Sequence, residues 1–224
     1  MRKYKSRPRK SSLNLEDFNM EQNSIINFNE PLVPRYPKIQ TNLVYAFKDG
    51  CPLTLNLITP PIPPNVKAHF PLLIYVPDID EHNMVKIDER FAQMLEIAKR
   101  GYAVALVSYR TTADVTAMVK DIHSATRFLL DHAFKYGLDP YRYLLFGEGL
   151  GGYLSSLSIL DQGQQRSNDE DVRRSPLRYK GGLLLETSLT PHPFSGPFLS
   201  ELLLQNSQKL PPILILNGTA DHTL

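Results

Sequence analysis

Cysteines, long apolar runs and a hydrophobic leader are scarce or absent in this 224-residue chain. The single cysteine, Cys51, rules out an internal disulfide framework and suits a reducing compartment, which favours a cytoplasmic location. No apolar run approaches the roughly 18 residues of a membrane-spanning helix, so no membrane span is expected. The basic N-terminus has no apolar stretch behind it, so a secretory signal is not expected either.

Metal-ligand patterns and internal repeats are missing as well. His69, His82, His132 and His192 do not follow one another at the spacing of a metal site. We therefore expect no metal and no other cofactor. Apolar residues make up 42% of the chain and charged residues 21%, which is ordinary for a globular domain with a sizeable core.

Positive charge is concentrated at the N-terminus, where residues 1–10 contain six lysines and arginines and no acid. Without those six, the formal net charge of +2 becomes −4 for the remainder. The cluster is either an arm that contacts nucleic acid or anionic lipid, or a solvated tail. We favour the tail and expect no nucleic-acid partner, because no aromatic platform or recognition helix accompanies the charge.

Two regions follow from composition and patterning. Residues 1–40 are polar and proline-punctuated, with too little apolar surface to offset the entropy of ordering, and they are predicted to be a disordered tail. Residues 41–224 form the predicted domain. It opens with a hairpin, because strand patterns at 42–47 and 53–58 flank an Asp49-Gly50 turn.

Strands and helices alternate beyond residue 70. Further strands are predicted at 71–76, 103–108, 141–146, 182–186 and 212–216, and helices at 87–100, 114–136, from the next glycine-rich turn to about 160, and at 199–208. Continuous apolar strands are typical of a parallel sheet covered on both faces. The sequence thus predicts the α/β class: a three-layer sandwich with a mostly parallel sheet and an antiparallel N-terminal hairpin.

The most informative segment is the turn Gly147-Glu-Gly-Leu-Gly-Gly152, which lies between a predicted strand and a predicted helix. Its context and spacing match the nucleophile elbow G-x-S-x-G, with Gly149 in the place of the serine. The flanking Gly147, Gly151 and Gly152 relieve the crowding of so tight a turn. The backbone amide of Leu150 is in the position of an oxyanion donor.

Residues 136–157 resemble the α/β-hydrolase esterases and lipases of the hormone-sensitive-lipase and feruloyl-esterase-like groups, where the equivalent turn reads G-D-S-A-G-G-H-L. Val107-Ser-Tyr-Arg110 is similar to the family's V-x-Y-R strand end, and residues 211–221 to its P-P-x-L-I-x-H-G-x-x-D segment. The likeness covers residues 42–224. It implies the α/β-hydrolase fold, hydrolysis of carboxylic esters through an acyl-serine, and a small acyl ester as ligand.

The same resemblance shows where the chain departs from the family. Gly149 supplies no nucleophile, and the family's H-G-G-G oxyanion loop reads Pro77-Asp-Ile-Asp-Glu81 here. Carboxylates such as Asp78 would disfavour a developing negative charge. Asp221 fits the triad acid, or is simply a loop acid. The triad histidine should follow one more helix and strand, so we expect that helix, strand and histidine to be missing.

Three functions stay open at this point. The chain is a catalytically impaired esterase, a non-catalytic binding or scaffold module, or an active esterase with another mechanism, such as water activated by Glu148. The alternative for Glu148 is a structural or solvated residue instead of a base. Ser155 and Ser156 lie too far along the helix to reach the tip of the turn. A strand at 212–216 without a neighbour predicts an exposed sheet edge and a homo-oligomer.

Overall fold

The structure is a computed structural model that describes residues 36–62, 66–112, 114–161, 175–187 and 210–218. Three predictions lie outside these residues: most of the N-terminal tail, the helical pattern at 199–208, and the triad-acid position Asp221. They stay predictions.

Strands and helices alternate through most of the described chain. In order they are β1 (Lys38–Lys48), β2 (Cys51–Thr59), β3 (Phe70–Val76), α1 (Phe91–Lys99), β4 (Ala103–Val107), α2 (Val115–Asp131), α3 (Ala133–Tyr136), β5 (Leu138–Glu148), α4 (Leu150–Leu160), β6 (Gly182–Leu185) and β7 (Ile213–Leu216). Every strand predicted from the apolar pattern is present.

The strands form one seven-stranded sheet in the order β1-β2-β4-β3-β5-β6-β7. The pairs β1–β2 and β2–β4 are antiparallel, whereas β4–β3, β3–β5, β5–β6 and β6–β7 are parallel. The predicted mostly parallel sheet with an antiparallel N-terminal hairpin at its edge is confirmed. Glycine and Asp49 supply the positive φ angles that the hairpin turn needs.

Successive residues of the central strands point to opposite faces of the sheet, as the period of a strand requires. Leu72, Ile74 and Val76 pack in the larger core with α2 and α4. Leu73 and Tyr75 pack in a second core with Met94 and Ala98 of α1 and with neighbouring strands. Helices therefore cover both faces, which confirms the three-layer sandwich.

Several boundaries differ from the sequence prediction, including the start of α1 at Phe91 rather than 87 and the start of β5 at Leu138 rather than 141. β1 begins at Lys38 rather than Asn42, because its pairing with β2 continues as far as Lys38 opposite Thr59. The single helix predicted over 114–136 is divided into α2 and α3 at His132, where the backbone leaves the helical conformation. The predicted end at Gly137 is correct, since that residue adopts the left-handed conformation of a helix C-cap.

β7 lies at one edge of the described sheet, opposite to β1. Leu214, Ile215 and Leu216 are each about half exposed, at 55%, 50% and 48%. Consecutive residues of a strand face opposite sides, so apolar surface is exposed on both faces of this edge.

Within the described ranges, no helix is long and apolar enough to cross a membrane. The same residues contain no cluster of His, Cys, Asp or Glu able to hold a metal ion. Cys51 is exposed and forms no disulfide.

Candidate functional site

The predicted elbow lies where β5 ends at Glu148 and α4 begins at Leu150. Gly149 between them has φ 53° and ψ −121°, a backbone conformation that side chains with a Cβ rarely adopt. Its N–H donates to the carbonyl of Leu185, 3.0 Å away, and its own carbonyl accepts from the N–H of Gly152 at 3.1 Å. Residue 149 is thus fixed at the tip of a strand–turn–helix junction.

The glycines around the tip are required by close backbone packing. A Cβ on Gly147 would lie 2.5 Å from the Cα of Gly152. A Cβ on Gly151 would lie 2.5 Å from the carbonyl oxygen of Pro77, and one on Gly152 would lie 2.9 Å from the Cβ of Thr187. Real Cβ atoms essentially never approach so closely. These glycines are therefore explained by packing alone, whatever chemistry the turn carries.

The carboxylate of Asp78 fills the space at the tip. A Cβ built on Gly149 would lie within 2.5 Å of both carboxylate oxygens. The Oδ1 atom also accepts a hydrogen bond from the backbone N–H of Leu150 at 2.9 Å. That amide follows the nucleophile position and is the one that binds an oxyanion in a serine hydrolase. Asp78 thus occupies the space beside Gly149 and the first amide of α4, which are the positions predicted for the nucleophile and for an oxyanion donor.

Two backbone contacts hold the β3–α1 loop (residues 77–90) in this position. The Tyr109 hydroxyl donates to the Pro77 carbonyl at 2.8 Å, and the Lys86 N–H donates to the Asp78 carbonyl at 2.8 Å. Burial, together with the nearby charge of Asp78, raises the pKa of Tyr109 well above its ordinary value. Tyr109 therefore stays a neutral donor, and the backbone on each side of the Asp78 side chain is anchored.

Glu148, the proposed alternative base, forms an ion pair with Arg90. The Nε of Arg90 donates to its two carboxylate oxygens at 3.0 and 2.9 Å, the Arg90 Nη2 also contacts it, and the Tyr75 hydroxyl donates at 2.7 Å. Burial alone would raise the pKa of Glu148, but the bonds from Arg90 and Tyr75 hold it below its ordinary value. A carboxylate with a lowered pKa and occupied oxygens is a poor base for water.

We expect Glu148→Gln to destabilise the protein by about 1–3 kcal/mol at pH 7, because it weakens charged hydrogen bonds in a mostly buried site. Since the folded-state pKa of Glu148 is depressed, its stabilisation is complete above the ordinary value of 4.5 and is lost as the pH falls through the folded-state value. Urea unfolding from pH 7 to pH 3.5 should show the two proteins converging. A constant difference across that range would contradict the assignment.

The matched control for this prediction is Glu96→Gln. Glu96 is 63% exposed and pairs only with Lys99 on the surface of α1. An exposed pair of this kind contributes at most about 1 kcal/mol.

Ser155 and Ser156 are packing residues and do not reach the tip. Both are buried, and the Ser156 hydroxyl donates to the Gly152 carbonyl at 3.0 Å. The Ser155 Oγ lies under the turn, 2.6 Å from where a Cβ on Gly147 would be. Neither hydroxyl occupies the position of Gly149.

Three residues that shape this site were not found by motif, namely Arg90, Tyr75 and Thr187, and the V-x-Y-R match contained Tyr109 without predicting its contact with Pro77. For the two tyrosines, the sequence signal is their position within a buried strand or at its end, because a buried hydroxyl requires a hydrogen-bond partner. The partner of Tyr75 was not predictable, since Glu148 is 73 positions from it. The triad-acid role of Asp221 stays a prediction.

The BD-FAE family model matches residues 61–180, which is more than half of the chain. The chain belongs to the BD-FAE family. The matched range contains β3, the elbow and the loop that carries Asp78.

Named relatives of this BD-FAE chain include plant methylesterases. It is 26% identical over 161 residues to "Probable isoprenylcysteine alpha-carbonyl methylesterase ICMEL1" of Arabidopsis thaliana, covering 58% of this chain and 34% of that protein. It is 23% identical over 158 residues to the probable enzyme ICME of the same description from Oryza sativa subsp. japonica, covering 57% and 38%. The chain thus spans little more than a third of the length of these relatives.

Solved esterase structures share its fold. Thermogutta terrifontis esterase 2 phosphorylated by paraoxon superposes with a TM-score of 0.69 at 20% identity, over 87% of this chain and 74% of that one. Esterase B from Lactobacillus rhamnosis gives 0.63 at 21%, over 84% and 67%. The BD-FAE chain therefore has the α/β-hydrolase fold of esterases.

Proposed function

We propose that this BD-FAE protein keeps the esterase fold but is severely impaired in ester hydrolysis. The proposal rests on one observation: Gly149 is at the elbow tip, and the Asp78 carboxylate fills the space where a nucleophile would project. A glycine has no atom that can attack a carbonyl.

The fall in kcat that follows loss of the nucleophile is known for serine proteases. Removing the serine of a serine protease lowers kcat by about 10⁶. What catalysis remains in such variants comes from substrate binding and the oxyanion hole. Here the Leu150 amide already donates to Asp78, so this remaining contribution is reduced too.

Turnover of p-nitrophenyl acetate tests the proposal, with an active serine esterase of this fold as positive control. We expect the purified, folded chain to stay within the background rate. Gly149→Ser should also stay there, because the Asp78 carboxylate occupies the space that a side chain at position 149 would need. Saturable turnover by the unmodified chain would refute the proposal, and loss of that turnover in Glu148→Gln would identify Glu148 as the working base. Robust turnover by Gly149→Ser would contradict the blocking role of Asp78.

The alternative, a non-catalytic module that binds a small acyl ester, requires the ester to displace Asp78 or to bind elsewhere. Stoichiometric, saturable binding without turnover, measured by calorimetry with a non-hydrolysable ester analogue, would favour it. No binding at millimolar analogue would exclude it for that ligand class.

A cytoplasmic location is proposed from the single cysteine.

We further propose that the β7 edge mediates self-association of the isolated chain. It is the apolar edge with Leu214, Ile215 and Leu216 half exposed, and unpaired edges of this kind attract further strands. Light scattering after size exclusion should give a mass above one chain, and Ile215→Lys should lower it. A monomer for the unmodified chain would contradict this expectation.

A further inference from the structure

We propose that Asp78 is a resident ligand of the elbow: its carboxylate fills an anion site at the start of α4 from within the chain and restricts position 149 to glycine. The proposal concerns stability and packing, so it stands apart from whether the chain hydrolyses esters.

The geometry of an anion site is present. The amide of Leu150 opens α4, a helix of 11 residues, and donates to the Asp78 Oδ1 at 2.9 Å. A helix N-terminus presents unpaired N–H groups and a partial positive charge, which favour a carboxylate. No side chain of α4 caps this end, since Gly149 has none to offer. Asp78 performs the capping from 72 positions away.

The backbone that carries the carboxylate is held in place. The Pro77 carbonyl accepts from Tyr109, the Asp78 carbonyl accepts from Lys86, and a Cβ on Gly151 would clash with the carbonyls of Val76 and Pro77. Moving the carboxylate out of the elbow therefore requires the Asp78 side chain to rotate about its own bonds and to give up the hydrogen bond from the Leu150 amide. A side chain at position 149 would have to force that change.

Positions 78 and 149 are consequently coupled. With aspartate at 78, a Cβ at 149 meets the carboxylate within 2.5 Å. With glycine at 78, these carboxylate contacts are removed, whereas the strain of φ 53° is present in either background. The clash and the backbone strain are thus separable by combining the two substitutions.

The test is a double-mutant cycle with Gly149→Ala, Asp78→Gly and the double variant, read as thermal midpoints. In the Asp78 protein, Gly149→Ala should lower the midpoint by roughly 8–12 °C. In the Asp78→Gly background the same change should cost roughly half as much, because only the backbone strain remains. Equal losses in the two backgrounds would overturn the proposal.

Chemical rescue provides an independent readout of the anion site. Asp78→Ala should lower the midpoint, and added sodium formate should restore roughly 2–5 °C beyond equal sodium chloride, while the unmodified chain gains nothing. Asp78→Asn, which keeps an acceptor for the Leu150 amide, should lose less than Asp78→Ala. Equal formate responses of variant and unmodified protein, or an asparagine variant as stable as the unmodified chain, would contradict a carboxylate site.

Discussion

Replacing Gly151 by alanine is expected to destabilise the protein by about 3 kcal/mol or more. The new Cβ would lie 2.5 Å from the Pro77 carbonyl oxygen and closer than 3.0 Å to that of Val76. Both obstacles are backbone atoms, so relief requires the end of β3 to move away from α4. Alanine is favoured over glycine within a helix by about 1 kcal/mol, so a net loss must come from the clash.

Urea unfolding measures this effect, with Gly218→Ala as the matched control. A Cβ on Gly218 would meet nothing within 4 Å, so that variant should stay within about 0.5 kcal/mol of the parent. If Gly151→Ala were as stable as the parent, the close approach of α4 to β3 would be wrong, and with it the position of the elbow.

Asp121→Asn is expected to destabilise the protein by about 3 kcal/mol. The Asp121 side chain is fully buried and accepts from the Arg110 backbone N–H at 3.1 Å, from its Nε at 2.9 Å and from its Nη2 at 2.8 Å. The Lys48 Nζ lies 3.1 Å away. Asparagine would remove the buried negative charge between Lys48 and Arg110, and Arg110 would keep its pair with the 73% exposed Asp49. Arg110 follows Tyr109, so this ion pair also supports the residue that anchors the Asp78 loop.

Asp139→Asn is the control for this prediction, because Asp139 pairs with the 61% exposed Arg142 and asparagine keeps an acceptor for the Tyr141 N–H. An ion pair with so exposed a cation contributes about 0–1 kcal/mol. Denaturant unfolding of both variants should separate them by roughly 2 kcal/mol or more. Equal losses would mean that Asp121 is not the buried centre of an ion network.

The strand–turn–helix junction at Gly149 was predictable because its determinants are local. The apolar strand, the glycine spacing and the following helix all lie within residues 141–160, and β5, Gly149 and α4 occupy those positions. The sheet could be predicted from the sequence as well, since continuous apolar strands alternating with helices indicate a parallel core.

The contact of Asp78 with the elbow could not be predicted from local sequence patterns. The sequence predicts that Asp78 repels negative charge near the oxyanion site, but the direction of its side chain depends on a loop held by Tyr109, which is 32 positions from Pro77. The structure instead places its carboxylate on the Leu150 amide itself. Local patterns do not show which side chain of a loop will point into a site.

α2 illustrates the same limit in the core. Its apolar residues recur at helical spacing, yet the polar residues Asp121, His123, Thr126 and Arg127 are buried too. Three of these polar residues have partners from outside α2: Arg110 pairs with Asp121, the Ser158 carbonyl lies 3.3 Å from the His123 Nε2, and the Tyr179 hydroxyl lies 2.9 Å from that of Thr126. Hydropathy alone marks such residues as solvent-facing.

Covalent labelling tests the central claim most directly, because it asks whether any atom at the elbow can attack an electrophile. The chain is incubated with a fluorophosphonate probe and weighed intact, beside Thermogutta terrifontis esterase 2, which has been observed phosphorylated by paraoxon. We predict an unchanged mass for this protein and a complete adduct on the control. A stoichiometric adduct at a single residue, located by peptide mapping at the end of β5, would contradict the account.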